Sequence, residues 1–279
     1  MGGIFSLLGK YYYNWCNRVH LDSVMDKYTL HEKPYMKGRF SSIYVGNNLE
    51  TGITVAVKRI STRTKSACNE AHILSKLVHP NIIHIIDTYQ TASYNYIVME
   101  LGWIDLYTKM ERHVPFPEKR AIYYMKQLLD AIVYLHSKGI VHRDIKPENI
   151  VIVGRGNYAQ LKLIDFDFAK HFTPDHPMKQ IMGSPPYMAP EVLLGNYTEL
   201  CDVWSAGVIL YEMLSGTLPF EDIDRAKLFH KIHQQPINYN TPQWKKVPLL
   251  AIQTLKPFLE RDLKKRLSAA TIVGGPWFR

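Results

Sequence analysis

Cysteine is scarce and unpatterned in this chain. Cys16, Cys68 and Cys201 stand far apart in 279 residues, which excludes a zinc-finger spacing or a disulfide scaffold and fits a reducing compartment. No apolar run reaches the roughly 18 residues of a membrane span. The stretch from Ile4 to Leu8 is too short for the apolar core of a secretory signal. Internal repeats and low-complexity linkers are missing as well. Lys and Arg outnumber Asp and Glu by 34 to 25, a formal charge of +9. Yet no basic block of five or more occurs, which argues against nucleic acid as the partner of that charge. What is present is an ordinary globular balance, 46% hydrophobic and 21% charged. That is enough for a core, in one large domain or two lobes sharing a cleft.

The most informative stretch is Val141-His142-Arg143-Asp144-Ile145-Lys146-Pro147-Glu148-Asn149. Moving a phosphoryl group to a hydroxyl needs an acceptor for the hydroxyl proton, a cation near the migrating phosphate and a metal ligand. Asp144, Lys146 and Asn149 supply these within six residues. Read alone, such residues would also suit a charged surface loop. The spacing H-R-D-x-x-x-x-N, however, resembles the catalytic loop of eukaryotic-type protein kinases. Companion motifs extend the resemblance over about residues 28 to 279. Gly183-Ser184-Pro185-Pro186-Tyr187-Met188-Ala189-Pro190-Glu191 is similar to the G-T-x-x-Y-x-A-P-E segment of serine/threonine kinases. Gly275-Pro276-Trp277-Phe278 resembles the H-P-W-F that ends calcium/calmodulin-dependent kinase domains, so the pattern is nearest that group.

The resemblance implies an α+β, bilobal protein-kinase fold. Its small antiparallel β lobe would cover about 28–101 and its larger, mainly helical lobe about 102–279, after an N-terminal segment 1–27. Transfer of the ATP γ-phosphate to protein Ser or Thr is the implied reaction, with ATP and Mg²⁺ as cofactors. Asp144 and Lys146 would be catalytic, and Asn149 and Asp165 would hold the metal. Met36, Lys37, Gly38, Arg39, Phe40, Ser41, Ser42 and Ile43 occupy the place of the Gly-rich loop, although only the middle glycine, Gly38, survives. Thr54-Val55-Ala56-Val57-Lys58 matches V-A-I-K; Lys58 would hold the phosphates, and Ala56 would line the adenine pocket. Glu70 is the implied partner of Lys58 on a helix with Ile73, Leu74 and Leu77 inward, although only eleven residues separate the pair. Met99 would guard the back of the pocket, the Glu100 and Leu101 backbone would meet adenine, and Val151 would lie beneath it. Asp105 resembles the acidic residue that meets ribose or a basic substrate side chain.

Further along, Pro117 to Lys138 has helical spacing, with Pro117 suited to the first turn and Gly139 to the stop, and the resemblance supplies roles around it. Asp202 would hold the catalytic-loop backbone from a central helix closed by Leu218-Pro219-Phe220, and Arg266 would pair with Glu191. Ser184 would bridge Asp144 and Lys146. Two departures bear on activity: Asp165-Phe166-Asp167 replaces D-F-G, and the Gly-rich loop is eroded. A pseudokinase scaffold therefore stays open beside a small-molecule kinase, which the Gly183–Glu191 motif disfavours. Between Phe168 and Gly183 the only hydroxyl side chain is Thr173, and Gln180 stands where the family places its phosphosite. Order there would come from neutral hydrogen bonds, from packing around Ile181 and Met182, or from Asp167. Glu148 and Glu212, with Asp105, imply protein substrates carrying basic residues upstream of the acceptor. Finally, Met1-Gly2-Gly3-Ile4-Phe5-Ser6 fits the M-G-x-x-x-[ST] myristoylation pattern. Gly2 would then carry a lipid on a cytoplasmic, membrane-associated monomer.

Overall fold

Strand-forming stretches dominate up to Glu100, and helix-forming ones dominate after it. The computed structural model describes residues 19–20, 23–38, 41–62, 66–154, 156, 159–174 and 176–279. It divides into two units: the described residues up to Lys76 with His84–Leu101, and Leu77–Ile83 with Gly102–Arg279. Leu77–Ile83 falls in the span expected for the small lobe. It joins the second unit because its polar groups are satisfied there. Ile83 N–H donates to the Leu163 carbonyl (3.0 Å), Leu163 N–H to the Asn81 carbonyl (2.9 Å), and Asn81 Nδ2 to Gln127 Oε1 (2.9 Å).

In the first unit the strands are β1 (Val19–His20), β2 (Tyr28–Leu30), β3 (Met36–Lys37), β4 (Ser41–Asn48), β5 (Thr54–Ser61), β6 (Ile85–Gln90) and β7 (Tyr94–Glu100). They form one seven-stranded sheet in the order β1-β6-β7-β5-β4-β2, with β3 on β4. The pairings are antiparallel except for β1, which runs parallel to β6. That edge strand, with the 3-10 turn Val24–Asp26, draws residues from the expected N-terminal segment into the sheet. Strand β4 alternates between half-buried and buried positions, the period-two signature of a sheet covered on one face. Val24, Tyr28, Tyr44, Val55, Val57, Tyr89 and Val98 pack together there. Gly46 permits the close approach of β2, since a Cβ at that position would sit 2.3 Å from the Thr29 carbonyl oxygen. Buried Asp87 accepts from the Tyr28 hydroxyl and from Lys27 Nζ (3.0 Å). Helix α1 (Ser66–Ser75) buries Ile73 and Leu74; Leu77, expected on the same helix, is buried beyond its end.

The second unit contains β8 (Ile104–Asp105), α2 (Leu106–His113), α3 (Glu118–Ser137), β9 (Ile140–Val141), β10 (Ile150–Val153), β11 (Gln160–Leu163) and β12 (Lys170–His171). Helices α4 (Pro190–Leu193), α5 (Leu200–Ser215), α6 (Arg225–Gln234), α7 (Leu249–Leu255) and α8 (Ala269–Val273) follow. Pro117 opens α3, where its missing N–H is harmless, and Gly139 adopts a left-handed φ of 67° just past the end. Met125, Leu128, Leu129, Ile132 and Leu135 of α3 are buried at helical spacing. Helix α5 is buried on every side, Cys201, Trp204 and Val208 included. At Gly207 it lies so close to the following segment that a Cβ would fall 2.5 Å from Phe258 Cβ. Its end differs from expectation. Gly216, at φ 79°, closes the helix with its N–H on the Glu212 carbonyl. Leu218-Pro219-Phe220 comes after that cap, and Phe220 stacks on Trp204 with ring centroids 6.3 Å apart. Among the described residues, no helix is long and apolar enough to cross a membrane.

Candidate active site

The loop from β9 to β10 is held from below by one carboxylate. Asp202, in the first turn of α5, accepts the His142 N–H on Oδ2 and the Arg143 N–H on Oδ1, both at 2.9 Å. His136, from the last turn of α3, reaches Oδ2 at 3.0 Å. These bonds hold Arg143 at φ 70°, a left-handed conformation that costs a non-glycine residue about 1–2 kcal/mol. Burial alone would raise the Asp202 pKa. The bond and charge of His136, with the His142 backbone N–H, outweigh that and hold it below its ordinary value. His142 packs edge-on against Phe166, with centroids 4.8 Å apart. Its Nδ1 accepts the Asp144 N–H (3.3 Å), so Nε2 is the atom that donates to the Ile164 carbonyl (3.1 Å).

This anchoring places Asp144 inside a directed set of bonds. Lys146 Nζ donates to Ser184 Oγ (2.8 Å), and Ser184 Oγ donates to Asp144 Oδ1 (2.9 Å). Asn149 Nδ2 donates to Asp144 Oδ2 and to the Asp144 carbonyl, both at 2.9 Å, and Lys146 Nζ lies 3.3 Å from Oδ2. With Nδ2 committed, Asn149 Oδ1 is the atom left for a metal. The Asn149 carbonyl accepts the Ile164 N–H (2.9 Å), which ties the loop to the strand end that carries Asp165. Asp165 has φ 61° and supplies a carboxylate, so the donors are the oxygens a hard divalent cation takes. Ser184 follows Gly183, whose φ of 113° and tight approach to the Arg143 carbonyl bar a side chain: a Cβ would lie 2.7 Å from that oxygen. Farther on, Arg266 grips Glu191 with both terminal nitrogens, Nη2 to Oε2 at 2.9 Å, and lies over the Trp204 ring.

In the first unit, Lys58 Nζ sits 2.7 Å from Glu70 Oε2, and both residues are buried. The short connection between them therefore does not prevent the pair. Ala56 lies opposite Met99, and Ile43 opposite Lys58, in the sheet register. Glu100 N–H donates to the His84 carbonyl (3.2 Å), which leaves its carbonyl as the group of that backbone to meet adenine. In the second unit, a Cβ on Gly102 would strike Val151 at 2.7 Å, and Trp103 N–H bonds the Ile152 carbonyl (2.8 Å). Asp105 caps α2, with its two carboxylate oxygens on the Thr108 N–H (2.7 Å) and hydroxyl (2.9 Å). Met36 and Lys37 pair with Ile43 and Ser42, and Gly38 N–H donates to the Ser41 carbonyl (2.8 Å). Arg39, Phe40 and the Gly2 motif lie outside the described residues.

A family model described as "protein kinase domain" matches residues 36–278. The chain belongs to the protein kinase family. It is 33% identical over 259 residues to calcium-dependent protein kinase 5 of Plasmodium berghei, covering 91% of this chain and 45% of that one. It is 35% identical over 254 residues to the probable serine/threonine-protein kinase fhkC of Dictyostelium discoideum (86% and 42% covered). With calcium/calmodulin-dependent protein kinase type II of Caenorhabditis elegans the identity is 35% over 249 residues (86% and 35%). The chain thus spans less than half the length of these relatives. It is a eukaryotic-type serine/threonine kinase domain near the calcium/calmodulin-dependent group.

Two residues of the kinase site escaped sequence reasoning. His136 and Tyr197 meet their partners only through long-range folding: His136 reaches Asp202, and Tyr197 reaches Arg143. Nothing in their local pattern marks them apart from ordinary helix and loop residues. Of the three sources of order open for the segment before Gly183, packing at Ile181 is the one its exposure of 52% disfavours.

Asp202→Asn leaves one acceptor oxygen where two backbone N–H groups converge, and should destabilise the kinase by about 1.5–3 kcal/mol. The folded pKa of Asp202 is depressed, so its stabilisation is fully present above its ordinary value of 3.8 and disappears as pH falls through the folded value. Urea unfolding of both proteins should show a constant gap at neutral pH that closes in acid. A gap unchanged by acid would contradict the assignment.

Proposed function

We propose that this kinase transfers the γ-phosphate of ATP to serine and threonine hydroxyls of proteins, with Asp144 as the group that takes the hydroxyl proton. The supporting observation is the bonding of its carboxylate. Ser184 fixes one oxygen and Asn149 the other, with the Lys146 cation alongside. The acceptor oxygen bonds to the γ-phosphorus as the bond to the β–γ bridging oxygen breaks, and the proton passes to Asp144. Lys146 stands beside the reacting carboxylate, where it favours the charge that develops. Bound Mg²⁺ would neutralise phosphate charge; Asn149 Oδ1 and Asp165 are the atoms that would hold it. Lys58, fixed by Glu70, would hold the α- and β-phosphates. As the family resemblance implies, Ile43, Ala56 and Met99 of the first unit and Val151 of the second would each offer apolar surface to adenine, and the Glu100 carbonyl and the Leu101 backbone would offer its hydrogen bonds. The strand pair Met36–Ile43 would cover the phosphates.

Asp144→Asn should lower turnover of casein with labelled ATP and Mg²⁺ by about 10²–10⁴-fold, the worth of a general base. Wild type that labels a small molecule but no protein, or a variant as active as wild type, would overturn the reading.

The same proposal extends to substrate choice. Glu148 is exposed beside the catalytic loop, and the half-buried Glu212 accepts the Tyr187 hydroxyl (3.0 Å). Burial pushes the Glu212 carboxyl up to about 7, against the pull of the Tyr187 bond, and the charges of Glu148 and Glu221 add to the push. Arginine or lysine upstream of the acceptor would relieve that crowding of negative charge. A positional peptide library should therefore select basic residues there, and more strongly at pH about 8 than at about 6, because the carboxylate forms as pH rises. A library without basic selection at either pH would refute this.

Gly2 is the third element of the proposal. A myristoyl group on it would draw a cytoplasmic enzyme to membranes, weakly, as one chain does. Metabolic labelling with an alkyne myristate analogue should mark wild type and not Gly2→Ala; equal labelling would show that the motif is accidental.

A further inference from the structure

The segment from Lys170 to Met182 is mostly exposed and contains few buried apolar residues. Its position therefore depends on a small number of tethers. Strand β12 pairs with β9 at Lys170–Val141 and His171–Ile140. Buried Met178 exchanges two backbone bonds with Tyr197, at 2.8 and 3.1 Å. Phe172 N–H donates to the Gly139 carbonyl (2.9 Å). A further tether is a chain of hydrogen bonds from the arginine that precedes the catalytic aspartate to uncharged acceptors. Arg143 Nε donates to the Phe168 carbonyl (2.7 Å), and Nη1 donates to the Tyr197 hydroxyl (3.2 Å). The same hydroxyl donates to the Gln180 carbonyl (2.7 Å). Tyr197 itself is fully buried. Among the described residues, Arg143 meets no carboxylate within ion-pair distance. Thr173, the lone hydroxyl side chain of the segment, lies in the turn closed by His176 N–H on its own carbonyl (3.2 Å), away from this chain of bonds.

We propose that Tyr197 is a positioning residue for phosphoryl transfer. Its hydroxyl links the Arg143 guanidinium to the Gln180 carbonyl and so sets the segment that carries Ser184 against Asp144, with no phosphate on the segment. Gln180 lies four residues before Ser184, and Gly183 between them packs on the Arg143 carbonyl. A shift at Gln180 is therefore felt where Ser184 meets Asp144. One hydroxyl acts both as acceptor and as donor. In that place it satisfies a cation without adding charge. The proposal rests on the catalytic reading given above.

The test compares wild type, Tyr197→Phe, Arg143→Met, the double variant and Thr173→Ala, with and without phosphatase. It reads kcat, the KM for ATP, melting temperature and hydrogen exchange of residues 176–183. Tyr197→Phe keeps the buried ring and loses only the hydroxyl. It should lower kcat about tenfold or more, with little change in the KM for ATP or melting temperature, and speed exchange at 178–183. The double variant should lose less than the two single losses combined, because the two residues share the bond between Nη1 and the hydroxyl. Phosphatase treatment and Thr173→Ala should leave kcat within about twofold, which is near neutral on the scale of a lost hydrogen bond. Undiminished kcat and exchange in Tyr197→Phe would overturn the proposal. So would loss of most turnover on phosphatase treatment, or a fall in melting temperature with kcat per folded molecule intact. Should Tyr197→Phe fail to fold, exchange of dephosphorylated wild type decides. Bonds from Arg143 to uncharged acceptors keep the segment protected from about 0.1 M to about 1 M salt, whereas an ion pair to a charged group loses protection. Asp144→Asn separates the two readings: full activity there refutes the catalytic assignment, while exchange still reports on Tyr197.

Discussion

The site depends on a single buried carboxylate. Asp202 lies at the start of α5, where the helix dipole favours negative charge, and it meets two backbone N–H groups and an imidazole. A backbone turn with a left-handed residue would relax if those N–H groups found other partners. Held by Asp202, it presents Asp144 at a fixed angle and sends the Arg143 side chain toward Phe168 and Tyr197. Everything downstream is a matter of hydrogen-bond direction. Lys146 can only donate, a carboxylate only accepts, and Ser184 does both, so the order Lys146 to Ser184 to Asp144 has one sense.

Much of this was legible in the chain because it is local. His142 to Asn149 encodes a complete set of roles in one loop, and a helix bounded by Pro117 and Gly139 carries its punctuation in the sequence. Pairs such as Lys58 with Glu70 and Arg266 with Glu191 were legible only through resemblance, since neither spacing implies contact. The errors share a cause. Leu77 follows a helical apolar rhythm yet lies past the helix end, and Leu218-Pro219-Phe220 looks like a helix stop, although Gly216 had already ended the helix by turning left-handed. Packing around Ile181 was one of three sources of order left open for its segment; the side chain is exposed, while Tyr197 and Gln180 bond through atoms that sequence pattern does not display.

The replaced glycines can be weighed in the same terms. Gly38 bonds Ser41 across the β3–β4 turn, and a Cβ there would meet only ordinary contacts. Loss of neighbouring glycines therefore does not of itself break the hairpin. Asp167 stands after Phe166, whose ring is fully buried against His142. The aromatic of that motif is anchored against the catalytic loop.

Helix α5 has a consequence for how the protein is made. Fourteen of its sixteen residues are buried, so as an isolated helix it would present apolar surface on every side. Phe258 and Leu259, which cover Gly207, are encoded some fifty residues later. On the ribosome, α5 therefore emerges before its cover exists and waits uncovered for several seconds at ordinary elongation rates of about 5–20 residues per second. The same helix that anchors the catalytic loop in the finished protein is thus an apolar segment left open in the nascent chain. The site and the hazard of its synthesis come from one stretch of sequence.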